Sequence, residues 1–265
     1  MDILQKIVRR KADILALQKE RITLDDLQKS VFFERKTFSL KKTLMNGTSS
    51  GIIAEFKRKS PSKGIINNTA KPQQTALGYV QAGASGVSVL TDSTFFGGSN
   101  DDLTAVRKSI NAPVLRKDFI IDPYQIYEAK SIGADVILLI AEILTRQQVK
   151  TFVQVAHSLG LEVLLELHDE TQKEKIFYGI DMIGINNRNL KTFQVDIQQS
   201  LTLIQKLPAK MVYVSESGLS NPDDILKLKK QGFQGFLIGE TFMKTAQPVS
   251  ACKNFIQQLY QKHER

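Results

Sequence analysis

Residues 114–140 read VLRKDFIIDPYQIYEAKSIGADVILLI. Two short apolar runs, Val114–Lys117 and Val136–Ile140, lie at the ends of this stretch and are typical of buried β-strands. Between them, Asp122 and Pro123 supply a helix N-cap followed by proline at the first helical position. The stretch therefore predicts one strand–helix–strand unit, and units of this kind build parallel sheets.

The same alternation of strand-like and helix-like segments continues along most of the chain. We predict eight strands, which are Ile52–Lys57, Val87–Leu90, Val114–Lys117, Val136–Ile140, Val163–Glu166, Met182–Asn186, Val212–Glu216 and Phe236–Gly239. Eight such units favour a closed barrel over an open doubly wound sheet, whose G-x-G-x-x-G turn is absent after the first strand. The sequence therefore predicts an α/β fold, specifically a (β/α)8 TIM barrel.

The chain has 265 residues and no linker-like tract divides it, so we expect one domain over residues 1–265. Single barrels of this kind commonly contain about 250 residues. Residues 1–45 precede the first strand and carry apolar residues at helical spacing, among them Ile3, Leu4 and Ile7. These residues are predicted to form an N-terminal helical extension docked on the barrel.

The composition limits the cellular location and the kinds of partner that we expect. No apolar run approaches the roughly 20 residues that span a membrane, and the first residues lack the apolar core of a signal peptide. The single cysteine, Cys252, cannot form an internal disulfide, which favours a reducing, cytoplasmic location. The net charge is +9 but the lysines are scattered, so we expect a surface that attracts anionic substrates rather than nucleic acid.

Polar side chains close five of the predicted strands. In barrels of this type, catalytic groups gather at the C-terminal strand ends. Because side chains alternate between strand faces, the apolar neighbours of these residues indicate which charges point inward. The predicted mouth is lined by two lysines and three glutamates, namely Lys57, Lys117, Glu55, Glu166 and Glu216. Ion pairs that only hold the barrel together are the alternative, but clustered carboxylates and lysines are more typical of reaction sites.

Two turns predict a phosphate site. Ser217-Gly218 follows the seventh strand and Gly239-Glu240 follows the eighth. Loops after these two strands often bind phosphate through backbone N–H groups, although ordinary tight turns have the same composition. The three histidines lack the spacing of metal ligands, and His168 is expected at the rim of the mouth.

Five motifs, in this order, carry a family resemblance. They are EFKRKSPSKG at 55–64, FGGS at 96–99, LRKDFI at 115–120, GINNRNL at 184–190 and SESG at 215–218. Together they resemble the indole-3-glycerol-phosphate synthases, and the resemblance runs from about residue 50 to residue 244. Glu240 stands where serine occurs in some relatives, which affects the side-chain part of the phosphate contact.

The resemblance implies a carboxy-lyase (decarboxylase) of tryptophan biosynthesis that needs neither metal nor organic cofactor. Its substrate would be 1-(2-carboxyphenylamino)-1-deoxyribulose 5-phosphate, and its products indole-3-glycerol phosphate, carbon dioxide and water. Lys117 would protonate the substrate carbonyl while the ring closes, with Glu166 as its leading partner. The implied catalytic set is Lys117, Glu166, Lys57, Glu55, Asn186 and Glu216. Which of the two lysines acts at each step stays open.

The same resemblance implies how the substrate is bound. The phosphate would contact Ser60, Ser217, Gly218, Gly239 and the backbone N–H of Glu240. Arg188 and Lys57 would bind the carboxylate, and Phe96, Phe119 and Leu138 would enclose the aromatic ring unless they only pack the core. The expected partner is this small phosphate ester, and the chain is expected to be a monomer, with a weak homodimer as the alternative.

Two other interpretations remain at this point. One is another phosphate-binding barrel, phosphoribosylanthranilate isomerase or the tryptophan synthase α chain. Those enzymes would be expected to use a cysteine–aspartate or a glutamate–aspartate pair rather than two lysines at strand ends. The other is a barrel that binds a phosphometabolite or an acidic partner without catalysis, which the intact charged residues at five strand ends disfavour.

Overall fold

A computed structural model describes residues 2–189 and 192–263, and within them eight parallel strands close into a barrel. The strands are β1 (Ile52–Phe56), β2 (Gly86–Leu90), β3 (Val114–Lys117), β4 (Val136–Ile140), β5 (Glu162–Leu167), β6 (Met182–Asn186), β7 (Val212–Glu216) and β8 (Gly235–Ile238). Each strand pairs in parallel with its neighbours in the sequence, and β8 pairs with β1 to complete the circle. The predicted (β/α)8 barrel is confirmed. The first and last residues of each strand lie within one residue of the predicted positions.

Helices surround the barrel and precede it. They are α1 (Ile3–Arg21), α2 (Leu24–Gln28), α3 (Leu40–Met45), α4 (Pro72–Gln81), α5 (Ser93–Phe96), α6 (Asn100–Ser109), α7 (Tyr124–Ser131), α8 (Arg146–Ser158), α9 (Gln198–Ile204), α10 (Pro222–Lys230), α11 (Glu240–Met243) and α12 (Pro248–His263). Short 3₁₀ turns follow β4 at Ala141–Ile143 and β5 at Glu170–Lys175, and a small antiparallel hairpin follows β1. Among the residues described, none of the helices has both the length and the apolar character needed to cross a membrane.

Alternation along the strands produces two apolar layers. Ile53, Leu115 and Leu164 belong to a cluster inside the barrel. Phe56 and Tyr213 belong to a second cluster, between the strands and the outer helices. Because both faces of each strand are buried, the strands are nearly continuous apolar runs, and the charged residues are found at their ends.

The segment before β1 closes the end of the barrel at which the strands begin. Leu40 and Leu44 of α3 are buried and belong to the interior cluster. They meet the first residues of β2 and β8, where a Cβ on Gly86 or Gly235 would lie 2.8 or 3.0 Å from these leucine side chains. Glycine at these two positions therefore makes room for the leucines that fill this end.

Asp135, which precedes β4, ties the N-terminal segment to the barrel. Its fully buried carboxylate accepts hydrogen bonds from Arg35 Nη2 at 2.6 Å and from the backbone N–H of Phe38 at 2.8 Å. On the barrel side it accepts from Arg107 Nη1 and from the backbone N–H of Val114, each at 2.8 Å. Four donors thus satisfy one buried charge, as a charge removed from water requires.

The substitution Asp135→Ala should lower the free energy of unfolding by about 3–5 kcal/mol, because it leaves two guanidinium groups without their buried partner. Urea denaturation followed by circular dichroism measures this change. Lys173→Ala is a matched control, since Lys173 is half exposed, and its midpoint should stay within error of the parent. A loss below about 1 kcal/mol for Asp135→Ala, the range of an ordinary substitution, would contradict the prediction.

Candidate active site

A cavity of about 600 Å³ opens at the C-terminal ends of the strands. Every residue that the sequence predicted for the site lines it. The predicted catalytic set is Glu55, Lys57, Lys117, Glu166, Asn186 and Glu216. The predicted substrate-binding set is Ser60, Phe96, Phe119, Leu138, Arg188, Ser217, Gly218, Gly239 and Glu240. The motif residue Leu190 lies outside the described residues.

The charged residues form two groups of ion pairs. Lys117 Nζ lies 3.1 Å from Glu166 Oε2 and 3.6 Å from Glu216 Oε2. Lys57 Nζ lies 2.8 Å from Glu55 Oε1. These positions agree with the inward direction that the alternation of side chains predicted for all five residues.

Glu166 has a further partner on the next strand. Asn186 Nδ2, at the end of β6, donates a hydrogen bond of 3.0 Å to Glu166 Oε1. The two carboxylate oxygens are therefore divided between two roles, since Oε2 faces the ammonium of Lys117 and Oε1 accepts from the amide. This arrangement fixes the direction in which the Glu166 carboxylate points.

The cluster shifts the proton affinities of its members. Burial alone would lower the pKa of Lys117, but the carboxylates of Glu166, Glu216 and Glu55 outweigh it and raise this pKa. Burial alone would raise the pKa of Glu166, but the Lys117 ammonium, with His168 and Asn186, lowers it well below its ordinary value. The Lys117–Glu166 pair is therefore charged at neutral pH.

Glu216 behaves in the opposite way. Burial and the nearby charge of Glu166 raise the pKa of Glu216 to about 8, although Lys117 opposes this. Its Oε1 is buried without a hydrogen-bond partner among residues 2–189 and 192–263. Gly184 on the neighbouring strand makes room for it, because a Cβ there would lie 2.2 Å from Oε1. At neutral pH the site thus holds a protonated carboxyl beside an ionised one.

The loops after β7 and β8, for which the sequence predicts a phosphate site, form one side of the cavity. Ser217 and Gly218 both have positive φ angles, of 71° and 74°, which is unusual for a serine. Gly239 is the N-cap of α11, and Glu240 is the first residue of that helix. Backbone N–H groups in the first turn of a helix lack intrahelical partners and favour anions.

The side chain of Glu240 lies close to two cations. Its Oε2 is 3.5 Å from Arg188 Nη2, and its Oε1 is 3.8 Å from Lys63 Nζ. Arg188 Nη1 also lies 3.5 Å from Ser62 Oγ. Ser62 and Lys63 belong to the quoted 55–64 motif but were not predicted as site residues, because the sequence gives no indication of how the hairpin folds over the mouth.

Apolar side chains line the opposite side. The rings of Phe96 and Phe119 are half-buried, with centroids 5.8 Å apart and planes inclined by 34°. Leu138 is only 1% exposed and belongs to the interior cluster, so it packs the core and also forms the cavity floor. Two of the three predicted ring contacts therefore present free surface to the cavity.

Comparison with known proteins agrees with this geometry. The family model for indole-3-glycerol phosphate synthase matches residues 4–258. The chain belongs to the indole-3-glycerol phosphate synthase family. The enzyme of that name from Bacteroides thetaiotaomicron is 48% identical over 258 residues, which cover 97% of this chain and 99% of that protein.

Two further relatives in the indole-3-glycerol phosphate synthase family show the same extent of similarity. The protein of that name from Campylobacter fetus is 44% identical, covering 95% of this chain and 98% of its own length. The one from Neisseria meningitidis is 43% identical, covering 92% and 95% respectively. The resemblance inferred from the motifs is thereby confirmed.

In this member of the indole-3-glycerol phosphate synthase family, helix α1 covers the mouth of the barrel. Three of its apolar residues, Ile3, Leu4 and Ile7, line the cavity. The sequence predicted a helix here and its docking on the barrel, but it did not predict these side chains in the site. Helical spacing indicates which face of α1 is apolar and does not indicate what that face covers.

A buried lysine anchors α1. Lys11 Nζ lies 3.0 Å from Asp92 Oδ2 and 2.7 Å from Asp118 Oδ1, at the ends of β2 and β3. Burial would raise the pKa of Asp118, but Lys11 and Arg116 outweigh it and lower this pKa to about 2. Asp92 also caps α5, the helix that carries Phe96. The same ion pairs therefore position α1, which covers the mouth, and the wall of the cavity that Phe96 forms.

The raised pKa of Glu216 predicts a pH-dependent contribution to stability. A glutamate with a folded pKa near 8 and an unfolded pKa of about 4.3 stabilises the fold below pH 4, and this contribution is lost as the pH rises toward 8. The free energy of unfolding of the parent should therefore fall, relative to Glu216→Gln, by on the order of 2 kcal/mol between pH 6 and pH 8.

Urea denaturation of both proteins at several pH values measures this difference. Glu170→Gln is the control, because Glu170 is at the surface, and its curve should run parallel to that of the parent. Parallel curves for the parent and Glu216→Gln would show that Glu216 is ionised in the folded protein and would contradict the prediction.

Proposed function

We propose that this chain converts 1-(2-carboxyphenylamino)-1-deoxyribulose 5-phosphate into indole-3-glycerol phosphate, carbon dioxide and water. The observation that carries the proposal is the ammonium of Lys117, which lies between the carboxylate of Glu166 and the carboxyl group of Glu216 at the strand ends. An ammonium in this position can donate a proton to a carbonyl oxygen, and the relatives bear the name of the proposed product.

Ring closure is the step that needs Lys117. A carbon of the substrate's aromatic ring attacks the C2 carbonyl, a carbon–carbon bond forms, and the electron pair of the carbonyl moves to oxygen. Lys117 supplies the proton that converts this oxygen into a hydroxyl group. The carboxylate then leaves as carbon dioxide, and its bonding electrons pass to the iminium of the substrate, so the substrate provides its own electron sink.

Dehydration needs a second acid and a base. The hydroxyl group leaves as water when it receives a proton, and a base removes a proton from the new ring. Glu166 is the base we propose, because Lys117 and Asn186 keep its carboxylate ionised and oriented. Lys57, paired with Glu55 at 2.8 Å, provides the second ammonium within the cavity.

The two anionic ends of the substrate have separate partners in this proposal. Ser60, Ser217 and the backbone N–H groups of Gly218, Gly239 and Glu240 bind the phosphate at the ends of β7 and β8. Arg188 and Lys57 bind the carboxylate before it leaves, while Phe96 and Phe119 hold the ring. The carboxylate of Glu240 pairs with Arg188 and Lys63 in the free enzyme.

Ile3, Leu4 and Ile7 line the same cavity as the residues at the strand ends, which supports residues 1–45 being an extension of one barrel domain. We propose that the monomer is the active form. The buried, single cysteine agrees with a reducing cytoplasmic setting for this reaction.

Replacing the proposed proton donor tests the mechanism. Lys117→Ala should lower kcat by at least about 100-fold, the lower end for loss of a general acid, while the substrate still binds. Indole fluorescence follows turnover in the presence of EDTA, and equilibrium titration measures binding. Lys227→Ala, which changes a lysine that is 70% exposed on α10, is the matched control and should keep parental activity. Near-normal turnover of Lys117→Ala would exclude Lys117 from this role.

Arg188 tests the binding half of the proposal. Arg188→Ala should raise KM about 10-fold or more, because a charged hydrogen bond contributes roughly 1.5–3 kcal/mol, and kcat should change less. Arg188→Lys should lie between the parent and Arg188→Ala, since it keeps the charge without the planar fork. A lower kcat at unchanged KM would assign Arg188 to the chemical step instead of to binding.

A further inference from the structure

The two phenylalanine walls of the catalytic cavity belong to separate segments of the chain. Phe96 ends α5, which follows β2, and Phe119 lies two residues after the end of β3. Their ring centroids are nevertheless only 5.8 Å apart. A residue of a third segment, Lys11 of α1, pairs with both segments, and its side chain is only 9% exposed, which is rare for a lysine. The buried ammonium of Lys11 therefore lies where it can determine how far apart the two walls stand.

Each partner of Lys11 is also bonded to the backbone beside one of the two walls. Asp92, which lies 3.0 Å from Lys11 Nζ, accepts a hydrogen bond of 2.7 Å from the backbone N–H of Phe95 and so caps α5. Asp118, which lies 2.7 Å from the same nitrogen, accepts a hydrogen bond of 2.8 Å from the backbone N–H of Phe119. One ammonium thus joins the segments that carry the two rings.

The charge of Lys11 is needed because its two partners are both acidic and buried. The carboxylates of Asp92 and Asp118 are each 2% exposed and lie within 3.0 Å of the same nitrogen. Without the ammonium they would repel each other in a medium of low dielectric. Asp118 would keep Arg116, at 3.3 Å, whereas the ion pairs of residues 2–189 and 192–263 give Asp92 no other cation. The carboxylate expected to move is therefore that of Asp92, together with α5.

A third surface of the cavity depends on the position of the same lysine. Ile7 lies one helical turn before Lys11, on the same face of α1, and Leu4 lies one turn before Ile7. Both apolar side chains line the cavity, whereas Lys11 is not part of the lining that the described residues form. Lys11 thus affects the shape of the cavity through the segments that it joins.

We propose that Lys11 is a positioning residue for the aromatic end of the substrate. It holds its two aspartate partners together, and this sets the separation of the Phe96 and Phe119 rings. The inference rests on the proposed function, in which these two rings hold the aromatic ring of the substrate. It adds a residue of the N-terminal segment, remote from the reacting atoms, to those that determine how the ring is bound.

Lys11→Met tests the proposal because it keeps most of the length of the side chain and removes its charge. In the turnover assay, KM for the carboxyphenylamino substrate should rise about 10-fold or more while kcat changes less, as for a loss of binding surface. The inhibition constant of 2-aminobenzoate, which reproduces the aromatic end of the substrate, should rise by a similar factor. That of inorganic phosphate, which reproduces the other end, should stay within about two-fold.

Lys19→Met is the matched control on the same helix. Lys19 lies about two helical turns after Lys11 and pairs with Asp122 at 2.6 Å, but its side chain is 41% exposed. This substitution also removes an ion pair of α1, yet it leaves both walls of the cavity untouched. Both inhibition constants should therefore keep their parental values, whereas a general loosening of α1 would change them in this variant as well.

Asp92→Asn provides a second test that does not depend on the folding of Lys11→Met. Asparagine can still cap α5 and Lys11 keeps Asp118, so the substitution weakens only the link to α5. It should also weaken inhibition by 2-aminobenzoate. The double variant should lose no more than Lys11→Met alone, because both substitutions break the same link and their effects are not additive.

Circular dichroism identifies the variants that fold, and the inhibition constants then decide. Unchanged inhibition by 2-aminobenzoate in Asp92→Asn or in folded Lys11→Met, equal losses for the two probes, or additive losses in the double variant would each overturn the role of Lys11. A parent that does not turn over the substrate overturns the proposed function and this role together, whereas an active parent with unaffected variants overturns the role of Lys11 alone.

Discussion

The ammonium of Lys117 must remain charged in a place from which most water is excluded, and the centre of the molecule is organised around this requirement. A buried charge is tolerated only with close partners of opposite sign. Glu166 supplies the nearest negative charge, and the carboxyl of Glu216 fits beside it only because Gly184 leaves that space free. Burial and the nearby charge of Glu166 raise the pKa of Glu216 to about 8, whereas the Lys117 ammonium keeps the pKa of Glu166 low. The two neighbouring acids therefore differ in proton affinity because Lys117 lies closer to Glu166, at 3.1 Å, than to Glu216, at 3.6 Å.

Buried ion pairs also attach the N-terminal segment to the two ends of the barrel. At the end of the barrel where the strands begin, Asp135 forms ion pairs with Arg35 and Arg107, and Leu40 of α3 packs in the interior cluster. At the end where the strands finish, Lys11 forms ion pairs with two aspartates that follow β2 and β3. The ion pairs set the position of each helix, and the apolar side chains next to them bury surface. The segment therefore stabilises the barrel and encloses the site in a single arrangement.

The sequence was sufficient for the barrel because strand and helix periodicities are local properties. It was also sufficient for the inward direction of Glu55, Glu166 and Glu216, since the alternation of side chains follows from the strand itself. The coverage of the cavity by Ile3, Leu4 and Ile7 depends on packing between segments more than forty residues apart, and no local pattern records it. The position of His168 beside Glu166 likewise depends on the loop after β5 and on α9, which meet only in the folded chain.

The distances within the site divide its cations into two kinds. Lys57 and Lys117 lie 2.8 and 3.1 Å from buried carboxylates at the strand ends, where a low dielectric makes each pair hard to separate. Arg188 and Lys63 lie 3.5 and 3.8 Å from Glu240, whose side chain is one-third exposed and partly screened by water. An incoming phosphate or carboxylate can replace Glu240 at little cost, whereas it cannot displace Glu166 from Lys117. Under the proposed function, Arg188 at the rim binds the substrate and Lys117 within the barrel donates a proton to it, because the strength of pairing decides which charges a ligand can recruit.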